Sequence, residues 1–136
     1  MHGQLVLWGG ASENSIDWMW LWNGANWIQV TPSGPNPGAR DLLAMAGDAA
    51  SGQVVLYGGI GEDCQCDLND TWVWNGTNWT QESPATSPPA RDEHAMAYDA
   101  AQGVVVLFGG DQNGGCCYND TWVWNGTNSS GQPPGA

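Results

Sequence analysis

The chain has 136 residues, 41% of them hydrophobic and 12% charged, which fits one small domain of roughly 100–150 residues. Twenty glycines, eight prolines and ten tryptophans argue against a helical bundle, because helix interiors tolerate neither Gly nor Pro. Two arginines, no lysine and fourteen acids give a net charge of −12, which argues against nucleic acid as a partner and against docking on an anionic membrane.

Residues 1–30 begin with an apolar run closed by Gly9-Gly10. Trp20-Leu21-Trp22 follows, and Asn23-Gly24 turns the chain back through Trp27. These read as three strands, an incomplete unit that lacks an innermost strand. Residues 31–38 are a Pro- and Gly-rich link. Residues 39–82 read as a complete four-stranded unit. Within it, Val54–Tyr57 ends at Gly58-Gly59 and reads as a strand buried on both faces. Thr71–Trp74 alternates β-branched and aromatic side chains, with Trp72 and Trp74 on one face. Asn75-Gly76 supplies a tight hairpin into Trp79-Thr80-Gln81. After a second Pro-rich link, 83–89, residues 90–128 read as three strands: His94–Tyr98, Val104–Phe108 and Thr121–Trp124. Residues 129–136 are polar and rich in Gly and Pro, and are expected to be disordered. About ten strands result, so the fold class is all-β.

Self-comparison organises these pieces. Residues 39–59 and 90–110 are identical at fifteen of 21 positions, at an offset of 51, and residues 69–78 recur unchanged at 119–128. A period near 50 residues with a diglycine closing an apolar run points to a β-propeller built of four-stranded antiparallel blades. The residues that carry the pattern are Arg91 and His94 before the first strand, Gly109-Gly110 after the second and Trp122 on the third. One unit earlier the same places hold Arg40, Gly58-Gly59 and Trp72, with Leu43 where His94 would stand. This pattern resembles the kelch repeat. The resemblance implies a segment of about two and a half blades, and a family whose usual work is binding other proteins. Some members are carbohydrate-oxidising enzymes of the galactose-oxidase type with a copper site. Two histidines cannot supply such a ligand set. Neither a repeated Ser-His-Asp set nor a phosphate loop is present, so no catalysis and no cofactor are expected in this chain.

Cys64, Cys66, Cys116 and Cys117 fall at equivalent places in two loops. The main expectation is a cross-link between the loops. Free thiols and a zinc site remain open, although Cys-x-Cys with Cys-Cys lacks the usual zinc-ligand spacing. Glu62, Asp63 and Asp67 crowd the first loop, and Asp111 and Gln112 open the second. These loops diverge between repeats while the hairpins opposite do not, so recognition is placed on the loops. Trp18 stands where the other units have Asp70 and Asp120, and is the best candidate for an exposed aromatic contact. The repeat-matched tryptophans read as inter-blade packing rather than as a sugar platform.

Asp70 and Asp120 open their strands and read as turn caps. The arginines read as structural, bonded to carbonyls or carboxylates of a neighbouring blade, with recognition of an anionic ligand as the alternative. For His94, packing or a local hydrogen bond is favoured over ligation.

The reading that results is a non-enzymatic binding module with an acidic loop face that takes a protein or a glycan. The alternative is a propeller segment of an exported carbohydrate-active enzyme. Open end blades would make it a homo-oligomer or part of a longer propeller. No run of 18 apolar residues suggests a membrane span. The opening Met1-His2-Gly3-Gln4 lacks signal-peptide character, so an extracellular site is favoured only if the cysteines are oxidised.

Overall fold

The computed structural model of the chain describes residues 4–10, 18–115 and 117–132. Fourteen strands occur among them, and no helix. Strands β1 (Leu5–Trp8), β2 (Met19–Trp22) and β3 (Trp27–Val30) form a three-stranded first blade in the order β1-β2-β3. Next come β4 (Arg40–Asp41), β5 (Ala44–Asp48), β6 (Gln53–Tyr57), β7 (Ile60–Gly61), β8 (Cys66–Asp67), β9 (Thr71–Trp74) and β10 (Trp79–Glu82). The second blade has the order β10-β9-β6-β5, and β4, β7 and β8 make a small separate sheet. The third blade is β11 (Ala95–Asp99), β12 (Val104–Phe108), β13 (Thr121–Trp124) and β14 (Ser129–Gln132), in that order. All pairings are antiparallel.

The expected strand count of about ten is corrected to fourteen. Three of the additional strands are the two-residue pieces of the small sheet. The fourth is β14, which occupies part of the tail expected to be disordered. Its pairing places Ser129 opposite Trp124 and Gln132 opposite Thr121. Ladder hydrogen bonds use the main chain, so a polar segment serves as well as an apolar one once a hairpin delivers it. Asn125 Oδ1 sets that hairpin by accepting from the backbone N–H of Thr127 and Asn128, both at 2.9 Å. Gly131 then lies over the Trp122 indole, and Ser129 is buried. The third blade is therefore complete; the remainder of the tail, 133–136, lies outside the described residues.

Register decides which side chains meet. Val54 lies opposite Trp74, Leu56 opposite Trp72 and Val55 opposite Val73. The tryptophan face of the second blade therefore carries Val54 and Leu56, and its other face carries Val55 and Val73. Trp72, Trp74 and Leu56 cluster with Trp8 and Met19 of the first blade. On the opposite face, Val55 and Val73 cluster with Val105 and Trp124 of the third. Each tryptophan face thus meets the valine face of the blade before it. Burying an aliphatic or aromatic side chain this way contributes about 1.5–3 kcal/mol.

Hairpin chemistry repeats as well. Asn23 and Asn75 each accept two backbone N–H bonds within their turns, as Asn125 does. Asp48 and Asp99 accept from the N–H two residues on at the other turns.

Candidate functional site: an acidic loop face

Two arginines brace the ends of the complete blades. The Arg40 guanidinium makes a bidentate pair with Asp70, at 2.7 and 2.8 Å, and donates to the Gly58 and Pro37 carbonyls. Arg91 repeats the arrangement with Asp120, at 2.6 and 2.9 Å, and with the Gly109 and Pro89 carbonyls. Both arginines are buried. Their partners lie in the arginine's own repeat and the link leading into it, not in a neighbouring blade. Each acid also accepts from a tryptophan two residues on: Trp72 Nε1 to Asp70 at 2.7 Å and Trp122 Nε1 to Asp120 at 2.8 Å. Trp72 is buried, whereas Trp122 is half-buried. The hydrogen bond from Arg91, against an opposing effect of burial, holds the Asp120 carboxyl down at about 2. Asp70 and Asp120 read from the sequence only as turn caps; their repeat-equivalent places, 30 and 29 residues after the two arginines, are the signal for this pairing.

The diglycines sit directly under these groups. A Cβ on Gly59 would collide with the Asp41 carbonyl and Leu43, and one on Gly110 with the Asp92 carbonyl and His94. Both glycines have positive φ, at 91° and 92°, where side chains are disfavoured anyway. Leu43 and His94 therefore fill the same niche in successive repeats. His94 is buried, its ring edge-on to Tyr57 at 5.5 Å. Burial, and then the Arg91 charge, lowers its pKa to about 4. Burial has the opposite effect on Tyr57, raising the pKa of its hydroxyl, which donates to the Pro88 carbonyl at 2.6 Å. Arg91 stacks 4.0 Å over the Tyr118 ring.

Beyond these braces lie the divergent loops. The β6–β9 connection folds back as β7 and β8, and the turn between them is closed by a Cys64–Cys66 disulfide with a Cα separation of 5.1 Å. This corrects the expected cross-link to the next loop. Pairing of Gly61 with Cys66, together with the positive φ of Gln65, brings the two cysteines of one turn within bridging distance. Cys117 is exposed and unbridged; Cys116 lies outside the described residues. The loops are tied instead by a hydrogen bond, which the Asn113 N–H donates to Asp67 at 2.6 Å.

Acids consequently converge at this seam. Asp92 and Asp111 form an isolated bridge, with backbone N–H···O distances of 3.1 and 2.9 Å. Carboxylate oxygens of Asp92, Glu93 and Asp111 lie within 4.8 Å of one another. Burial first, then interaction with Asp67 and the charges of Asp111 and Glu93, raise the Asp92 pKa to about 6. Of these acids, Asp67 and Asp111 are expected from the sequence as loop-face residues, whereas Asp92 and Glu93 are not. No spacing rule reveals a contact made between the loops of successive repeats. Glu62 is half-buried, while Asp63 and Gln112 are exposed, with Gln112 accepting from the Tyr118 hydroxyl at 3.1 Å. Trp18 is exposed in the first blade, whereas the acid cluster spans the second and third. Asp92, Glu93 and Asp111 each bring one ligand oxygen into the cluster, fewer than the six to eight that calcium takes. The arrangement is best suited to attracting positive charge.

A search of the curated proteins returns no match. The family comparison matches residues 1–134 to the KLHDC2/KLHL20/DRC7 Kelch-repeats domain, a group of generally protein-binding, typically non-enzymatic scaffolds. With its all-β blades, repeated arginine–aspartate braces and diglycine turns, the chain belongs to the Kelch-repeat family.

Proposed function

We propose that this propeller segment binds a protein partner through its acidic loop face, and that the occupant of the Asp67–Asp92–Glu93–Asp111 seam is a basic segment of that partner. The observation that carries the reading is the convergence of the Asp92, Glu93 and Asp111 carboxylates, whose oxygens lie within 4.8 Å of one another. Like charges crowd a largely buried carboxyl there, and an incoming Lys or Arg relieves the crowding. Glu62, Asp63 and Gln112 supply the polar rim, and Trp18 a flat apolar contact on the neighbouring blade. The Cys64–Cys66 bridge supports an oxidising compartment as the place of action.

Calorimetric titration with arginine- and lysine-bearing decapeptides, against neutral decapeptides of the same length, tests the reading. At pH 6 a cationic peptide is expected to displace the Asp92 proton, so the heat of binding should vary with the ionisation enthalpy of the buffer. An Asp92→Asn/Asp111→Asn chain should bind at least tenfold more weakly and lose that buffer dependence. Equal affinity for cationic and neutral peptides would sink the proposal.

A further inference from the structure

The three blades carry the same positions, so each serves as a control for the others. Leu5, Val54 and Val105 are equivalent, as are Leu7, Leu56 and Leu107. Leu5 is 61% exposed where Val105 is 1%, and Leu7 is 44% exposed where Leu56 is 0%. Trp27 is 45% exposed while its counterpart Trp79 is 3%. At the other end, Phe108 is 53% exposed where Tyr57 and Trp8 are 2% and 4%. Apart from Trp18, Ile28 and Leu42, the exposed large apolar side chains fall on two faces. Leu5, Leu7, Trp20, Trp22 and Trp27 make up the tryptophan face of the first blade. Val106, Val123, Phe108, Ala95 and Ala97 share one face of the third, its valine face.

We infer that these two faces are the halves of a single interface, joined head to tail between two copies of this chain. The chain itself shows what covers a valine face: Val55 and Val73 lie under Val105 and Trp124. The equivalent set across the new junction is Val106 and Val123 of one copy against Leu5 and Trp22 of the other. None of the residues named on either face is charged, so the net charge of −12 does not oppose close contact there. A head-to-tail contact closes when the rotation permits. Two copies supply six blades, within the usual range of four to eight for a ring. This surface is distinct from the loop face and does not depend on how that face is used.

Light scattering coupled to size exclusion tests the inference on the full chain. A species of twice 14.4 kDa is expected, dissociating on dilution. Leu5→Asp and Val106→Asp should each give a monomer, because each spoils both junctions of the ring. Mixing the two variants should restore a two-chain species, since one junction then has both faces intact. A single self-complementary patch would not show that rescue. A wild-type monomer with a cooperative melt would overturn the inference. So would a two-chain species indifferent to both variants, or a mixture that stays monomeric. If either aspartate variant fails to melt cooperatively, hydroxyl-radical footprinting of the wild-type chain decides. Labelling of Leu5, Trp22 and Phe108 should fall as concentration rises, and unchanged labelling overturns the inference.

Discussion

His94 and Leu43 occupy the same niche beneath successive diglycines, and the difference between them sets how the third blade meets acid. The buried imidazole stays neutral to about pH 4, whereas an unfolded histidine takes up its proton near 6.5. The unfolded chain therefore binds more protons between those values, and stability falls as pH drops from 6.5 to 4. Asp92 acts with the opposite sign. Its folded pKa of about 6 exceeds the unfolded value, so its contribution is present at low pH and is lost as pH rises through 6. His94→Leu, which installs the residue the second repeat already uses, should gain stability relative to wild type progressively from pH 7 to pH 5. Asp92→Asn should raise the denaturation midpoint at pH 7.5, with the gain fading toward pH 4. Urea titrations at four or five pH values read both; pH-independent differences would contradict the assignments. Neither behaviour was visible in the sequence. Leu43 against His94 is plain in the alignment of repeats, but burial and the nearness of Arg91 are properties of the fold.

Among elements, β9 and β13 share the sequence Thr-Trp-Val-Trp yet differ in cover. Trp72 and the rest of β9 are buried between blades, while Trp122 is half-buried and β13 is covered on one face only. Trp72→Ala should cost about 3–5 kcal/mol, the range for emptying a buried aromatic site, and Trp122→Ala clearly less. Equal losses in equilibrium denaturation would contradict the half-burial of Trp122 on the face that meets the second blade. These strands were legible because their alternation and the Asn-Gly turns are local signals. The β4-β7-β8 sheet was not, since its two-residue strands have no pattern and exist through backbone pairing alone. The tail strand was missed for a related reason. Composition argued for disorder, and the hairpin before it, identical to the one at Asn75, decided the matter. The cysteines were misread because equivalent places in neighbouring loops suggested a bridge between them, while the turn at Gln65 had already brought two of them together.

At the scale of the molecule, the blades are unequal despite their common plan. The second is covered on both faces by its neighbours. The third has one covered face and its own arginine–aspartate brace. The first has three strands and places Trp18 where the others place the braced acid. In a stack where each unit touches only its neighbours, stability is shared out unit by unit. The brace that Trp18 replaces therefore leaves a mark on the time axis, as a gradient of local opening along the chain. Under monomeric conditions, amide protons of β6 and β9 should exchange with deuterium most slowly, those of β12 and β13 at an intermediate rate, and those of β1 and β2 fastest. Hydrogen-exchange mass spectrometry resolves the three groups, and β2 amides as protected as those of β9 would contradict the order. Such a gradient makes the first blade the place where the molecule comes undone first, and where a protease cut would be expected to fall before any other.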